Sequence, residues 1–236
     1  MYGFGSRIRY SEVDETQRLS LVGILNYFQD CSTFQSDDLD IGMDYLKAMD
    51  LAWVLNCWQI DVARYPHEGE RVRIETVPYR CQSFLGYRNY AMYDETGKRI
   101  AVANTIWTML NMTTGKPADI PEKVLNAYDM EEKLDMDYLP RKIRPDTQGE
   151  QGREIIVSRH HLDANHHVNN GMYVSMAMDF LPEGKKVARL RTEYKAQAKL
   201  GNRILPMLYY TAENCIVSLN DEHNNPYAVV DLIYGE

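Results

Sequence analysis

Cysteine is scarce and unorganised in this chain. Cys31, Cys57, Cys81 and Cys215 form no CxxC pair and show no Cys/His ligand spacing. That excludes a disulfide framework, and free thiols in a reducing cytoplasm are expected. A basic excess is also missing. Lys and Arg total 26 against 34 Asp and Glu, a net charge of −8. Nucleic acid is therefore not expected as a general partner, because phosphate binding needs a basic surface. No run of about 18 apolar residues occurs, so no membrane span is expected. The stretch MYGFGSRIRYSE lacks the apolar core of a signal peptide.

What is present is ordinary in amount and unusual in arrangement. At 236 residues, 44% hydrophobic and 25% charged, the chain can bury a real core as one large domain or two of about 100–150 residues. Its segments occur twice. IRYSEVDETQRLSLVGILNYF sets Asp14 against Asp163 of IIVSRHHLDANHHVNNGMYVSM. Each copy has a short strand, an apolar residue and an Asp, a polar loop, then a helix. Downstream, Gly69 aligns with Gly201 and Arg71 with Arg203, and the turn DETG aligns with NDEHNNP. Each half then continues as antiparallel strands joined by Gly/Asn/Asp turns.

The first helix is expected to start at Ser20 as N-cap and run to about residue 36. Leu21, Ile24, Leu25, Phe28 and Cys31 form its apolar stripe. The second, over about 170–180, is apolar nearly all round, and such helices are buried. A buried helix beside twisted antiparallel strands implies a sheet wrapped round a helix, twice over: an α+β chain whose two sheets form one continuous sheet. The expected division is 1–125 for the first half, 126–153 for a polar crossover linker with a helical turn around 130–136, and 154–236 for the second half.

The chemistry concentrates in LDANHHVNNGMYV, residues 162–174. Asp163, Asn165, His166 and His167 precede Asn169 and Asn170, a helix-start signal. Helix N-terminal N–H groups point at whatever binds there and favour negative charge. A carboxylate, an amide and an imidazole beside such an end suit hydrolysis of an activated carbonyl. Asp163 and Asn165 are also ordinary turn and cap residues. The clustered histidines carry no Cys or HExxH companion, so a zinc site is not expected. Arg18 stands opposite His167 in the first copy, so one active site per chain is expected, in the second half.

The chain resembles the acyl-acyl-carrier-protein (acyl-ACP) thioesterases. LDANHHVNNGMYV matches the family pattern DxNxHVNNxxY, with further likeness in RTEYKAQAKLGNRI and RYSEVDETQRLSLVGILNYFQDCSTFQS. The resemblance implies a double hot-dog fold and release of free fatty acid from fatty acyl-ACP, with no metal or cofactor. Asp163, Asn165 and His167 match the family's catalytic positions. Gln197 and Ala198 stand where the family places a Glu and a Cys. No thiol nucleophile is available there, and Gln197 can only donate or accept hydrogen bonds. The reaction must then run from Asp163, Asn165 and His167, with either Asp163 or His167 as base.

Backbone N–H groups over 168–170 are expected to hold the oxyanion, which makes Asn169 and Asn170, with Gln197, substrate-contacting residues. The first half supplies large apolar groups, Trp53 and Trp58 among them, that the resemblance assigns to the acyl pocket. An acidic carrier needs a local basic patch. Lys185, Lys186, Arg189, Arg191, Lys195, Lys199 and Arg203 lie within 185–203 against the single acid Glu193, and Lys195, Lys199 and Arg203 are the docking candidates. An acyl-CoA thioesterase and a non-catalytic acyl-thioester-binding module remain alternatives, and a homodimer is compatible with all three. Acyl chain length is not encoded in any motif.

Overall fold

The computed structural model describes residues 1–145 and 148–235. Two compact units emerge, Met1–Asn56 with Ile60–Tyr138, and Leu139–Glu236 with Cys57–Gln59.

The first unit contains strands β1 (Tyr2–Arg7), β2 (Leu51–Val62), β3 (Arg71–Gln82), β4 (Leu85–Asp94) and β5 (Arg99–Asn111), with helices α1 (Leu21–Asp38), α2 (Met43–Ala48) and α3 (Glu122–Ala127). Its strands run in the order β1-β3-β4-β5-β2. Ser20 caps α1, its side chain accepting the Gly23 N–H. Leu21, Ile24, Leu25, Phe28 and Cys31 are all buried, so the stripe read from the sequence is the face α1 lays on the sheet. At about 1.5–3 kcal/mol for a fully buried large aliphatic or aromatic side chain, that face holds the helix in place. A second apolar cluster gathers Ile41, Leu46, Leu51, Met109, Ile120, Val124 and Tyr128.

The second unit has β6 (Glu150–Gln151), β7 (Ile155–Ile156), α4 (Asn170–Met178), β8 (Val187–Tyr194), β9 (Arg203–Tyr210), β10 (Asn214–Asn220) and β11 (Pro226–Tyr234). Its strands run β8-β11-β10-β9, with β6 and β7 both paired to β9. Tyr173, Val174, Met176 and Ala177 of α4 are buried. Each unit is therefore a helix laid on an antiparallel sheet, the α+β hot-dog arrangement.

The repeat recurs in particular backbone hydrogen bonds. Gly69 donates to the Ile8 carbonyl, and Gly201 to that of Val157. Both glycines have positive φ, 78° and 80°, a conformation that favours glycine. Asp94 Oδ1 accepts the N–H groups of Thr96 and Lys98, and Asp221 Oδ1 those of His223 and Asn225.

The helical turn expected around 130–136 is absent. That stretch is irregular, and its N–H groups are drawn to partners remote in sequence: Glu131 N–H donates to the Pro78 carbonyl at 3.1 Å and Leu134 N–H to Oδ1 of the fully buried Asn89 at 3.0 Å. The region expected as a linker is shared out, with residues to Tyr138 folding into the first unit and those from Leu139 into the second.

Candidate active site

The second-unit motif folds as a tight turn closed by an antiparallel bridge between Leu162 and Val168. Asp163 N–H donates to the His167 carbonyl at 2.8 Å, and His166 N–H to the Asp163 carbonyl at 3.1 Å. His166 takes the left-handed conformation, φ 61°. Asp163 Oδ1 accepts the N–H groups of Asn165 and His167, at 2.8 and 3.2 Å. The first unit builds the same turn around Asp14. Val13 bridges Leu19, Asp14 N–H donates to the Arg18 carbonyl, and Gln17 has φ 59°. Asp14 Oδ1 accepts from the N–H groups of Thr16 and Arg18.

One oxygen of Asp163 is thus committed to architecture. Oδ2 has no hydrogen-bond partner among the described residues, and neither does the His167 imidazole. Asp163 and His167 are half-buried, while Asn165 is exposed. The turn gathers the three residues within five positions, with no direct hydrogen bond between their side chains. Catalytic hydrogen bonds are often long before substrate arrives.

Two further contacts seat this turn. His167 bridges Lys199, and Val168 N–H donates to the Ala198 carbonyl at 3.0 Å. The exposed Gln197 is therefore carried beside the turn by its own neighbours. Asn169 is the N-cap of α4, its Oδ1 accepting the Gly171 N–H at 2.8 Å, and the Asn170 carbonyl accepts from the Tyr194 hydroxyl.

The oxyanion donors expected over 168–170 need correction. Val168 N–H is spent on Ala198, and Asn169 N–H on the His161 carbonyl. Asn170 N–H alone of the three has no partner among the described residues. A hydrogen-bonded donor has little left for a developing oxyanion.

The remaining histidines have local work. His161 Nδ1 accepts the Ser158 N–H at 3.0 Å, and burial, then the neighbouring His160, holds its pKa below the usual histidine range. The His160 and His161 rings meet at a tilt of 60°, with centroids 4.0 Å apart. Among the described residues no group of three or more His, Cys, Asp or Glu is placed to hold a metal ion. A cleft of about 470 Å³ opens between α4 and β7, lined by Ile155, Ile156, His161, Met172 and Met176 among others. Asp163, Asn165 and His167 do not line it.

The two tryptophans differ. Trp53 is half-buried, packs against the first unit's second apolar cluster and stands over Gly86, where a Cβ would meet its ring at 3.1 Å. Trp58 is 1% exposed, and its backbone N–H donates to Thr192 Oγ1. It is packed core rather than a wall open to substrate.

Three of the basic side chains are paired with acids, those of Arg203 and Arg191 with acids remote in sequence. Arg203 is clamped by Glu154 at 2.6 Å and Glu222 at 2.7 Å. Arg191 pairs with Asp231, and Lys195 with Glu193 at 3.3 Å. Lys199 is exposed and has no salt bridge among the described residues.

One polar contact beside the turn was hidden in the sequence by its surroundings. Tyr173 reads as one more apolar position of a buried helix, yet its hydroxyl accepts the Ala198 N–H at 2.9 Å. Burial, the largest cause, pushes the phenol up to about 12. The available signal was its place as the last letter of the DxNxHVNNxxY pattern.

Residues 4–128 match the family model of the acyl-ACP thioesterase N-terminal domain, and residues 144–225 that of the C-terminal domain. The chain is 25% identical over 209 residues to a chloroplastic acyl-[acyl-carrier-protein] hydrolase of Cuphea viscosissima, covering 81% of this chain and 50% of the relative. It is 22% identical over 241 residues to the dodecanoyl-[acyl-carrier-protein] hydrolase of Cinnamomum camphora, covering 92% and 61%. The chain thus spans about half the length of the first of these curated relatives. Among solved structures, an acyl-ACP thioesterase from Bacteroides thetaiotaomicron superposes with TM-score 0.91 at 22% identity, covering 99% of this chain and 97% of that one. The 12:0-ACP thioesterase of Umbellularia californica gives 0.83 at 19%, covering 99% and 96%. At these identities the structural likeness establishes the fold. Among the described residues no helix is long and apolar enough to cross a membrane.

Proposed function

This chain belongs to the acyl-ACP thioesterase family, and on that premise we propose that it hydrolyses the thioester of fatty acyl-ACP to free fatty acid and carrier thiol. The observation that carries the reading is the second-unit turn. It presents Asp163, Asn165 and His167 at the start of α4, beside the 195–199 segment. The first unit, with the same turn, has Thr16 and Arg18 where the second has Asn165 and His167.

In the proposed reaction water adds to the thioester carbonyl as His167 takes its proton. The Asp163 carboxylate, through Oδ2, orients that imidazole or the water. The Asn170 N–H and the Asn165 amide hold the oxyanion, where losing one donor typically costs ~10²–10³ in rate. The C–S bond then breaks, and the leaving thiolate recovers the proton from His167. General acid–base help of this kind is worth ~10²–10⁴. Ala198 supplies no thiol, and the water route needs none.

The division of labour follows the family resemblance, with the first unit holding the acyl chain and Trp53 in its wall. Lys199, with Lys195 beside it, is the proposed contact for an acidic carrier. The four cysteines are free thiols, which suits the reducing cytoplasm we assign. A single chain carries both units, and a homodimer is compatible with this reading.

The test is a panel of acyl-ACP and acyl-CoA thioesters of varied chain length, scored by released thiol. Turnover of acyl-ACP in preference to the same acyl group on CoA is expected. Preference for CoA would reassign the carrier. Binding without thiol release would make the chain a non-catalytic acyl-thioester module.

A further inference from the structure

The two units differ at one hydrogen bond that the rest of the repeat does not explain. Leu19 N–H donates to the Pro66 carbonyl in the first unit, and Val168 N–H to the Ala198 carbonyl in the second. Pro66 and Ala198 are therefore equivalent, and so are Ile24 of α1 and Tyr173 of α4, each five residues beyond the donor. In the first unit neither partner can hydrogen-bond: proline has no N–H, and isoleucine has no polar atom. In the second unit both can. Ala198 is fully buried, its N–H points at the Tyr173 hydroxyl at 2.9 Å, and the residue before it is Gln197.

We propose that Tyr173 is a positioning residue of the hydrolytic site. By receiving the Ala198 N–H, its hydroxyl fixes the 195–199 segment, with Gln197 and Lys199, against the Asp163–His167 turn. This rests on the activity assigned above and adds a residue to its machinery. The repeat supplies the argument. A segment that only had to be buried could carry proline, as the first unit does. The second unit keeps a donor there and spends a buried tyrosine on it, although a buried hydroxyl without a partner is costly. Held from below by Tyr173 and from the side by the His167–Lys199 bridge, the segment has no freedom to drift from the turn. Misplacement of a site by about 1 Å can cost ~10²-fold in rate. The phenol, raised by burial to about 12, stays neutral at physiological pH and so keeps its own proton to donate in turn.

Tyr173→Phe removes only the hydroxyl. It should lower kcat at least tenfold on an acyl-ACP that the wild type hydrolyses, with KM changed less than twofold. Amide hydrogen exchange should quicken over 195–199 and 163–168 and stay unchanged in α1. The double variant Tyr173→Phe/Ala198→Pro gives an apolar–proline pair in the manner of Ile24 and Pro66, with no orphaned donor and a rigid backbone. It should recover both the thermal midpoint and kcat to within about threefold of wild type. Wild-type kcat in Tyr173→Phe would overturn the proposal. So would a double variant whose midpoint recovers while kcat stays at the single variant's level. Should the wild type itself release no thiol, the assigned activity falls, and the exchange experiment still decides the tie: unchanged exchange over 195–199 in Tyr173→Phe would refute it.

Discussion

His167 and Lys199 face each other across an isolated antiparallel bridge, and Arg18 and His67 form the same bridge in the first unit. At the matching position of this backbone device the second copy carries the His167 imidazole and the first the Arg18 guanidinium, with His67 standing opposite it in place of Lys199. The first unit's guanidinium is engaged, donating to the Tyr65 carbonyl at 3.1 Å. The imidazole has no such partner among the described residues. The device is shared, and the side chains mounted on it are what differ between the copies.

That separation gives a paired prediction. Asp163→Asn keeps an oxygen for the Asn165 and His167 N–H groups but loses the charge. Turnover should fall at least ~10²-fold with the thermal midpoint nearly unchanged. Asp14→Ala should do the reverse. It strips the Thr16 and Arg18 N–H groups of their acceptor, for a loss of about 1–2 kcal/mol in stability, with kcat unaffected. Urea unfolding and thiol release on both variants check this. Equal loss of activity in the two would remove Asp163 from the chemistry.

Ala198→Cys restores the thiol that the family pattern places at this position. Position 198 is fully enclosed, and a thiol buried in apolar surroundings is held protonated, as burial already holds Cys31 and Cys215 above their ordinary range. No gain in kcat and no trapped acyl-enzyme are expected by mass spectrometry after a single-turnover quench. A covalent acyl adduct at residue 198 would contradict the water route.

The repeat, the Ser20 cap and the apolar stripe of α1 were legible because turn residues and 3.6-residue spacing are local signals. Asp163, Asn165 and His167 could be singled out together because they sit inside one short loop. The helical turn at 130–136 was misread because its backbone partner, Asn89, lies 45 residues upstream of Leu134. The docking stretch looked strongly basic for the same reason: Glu154, Glu222 and Asp231, which hold Arg203 and Arg191, are outside any window drawn around it. Tyr173 was concealed by its apolar neighbours.

Carrier docking should follow the ion pairs rather than the linear count of charges. Lys199→Glu should raise KM for acyl-ACP several-fold, more at low salt than at high, and barely change KM for a small thioester. Arg203→Glu should instead cost stability, since it sets a third carboxylate against Glu154 and Glu222. Steady-state kinetics at two ionic strengths, with a melting curve for each variant, separate the two. A larger KM effect from Arg203→Glu than from Lys199→Glu would relocate the docking surface.

Acid stability should be set by the aspartates that hold turns. Asp94 is lowered from 3.8 to about 2, first by the Thr96 hydroxyl and also by the Lys98 N–H and Arg64. Asp221 is lowered chiefly by the Asn225 N–H. At Asp14 burial pushes upward, but the Thr16 and Arg18 hydrogen bonds outweigh it. A carboxyl depressed on folding contributes stability that is fully present above its unfolded value and is lost as pH falls through its folded one. For Asp94 that window runs from 3.8 down to about 2. Asp231, raised by burial, works in the opposite sense, so the informative quantity is a difference. Asp94→Asn/Asp221→Asn keeps the turn acceptors and removes the titration. Its urea midpoint should therefore fall less steeply than the wild type's between about pH 4 and pH 2. Parallel curves would mean that these turns do not govern acid unfolding.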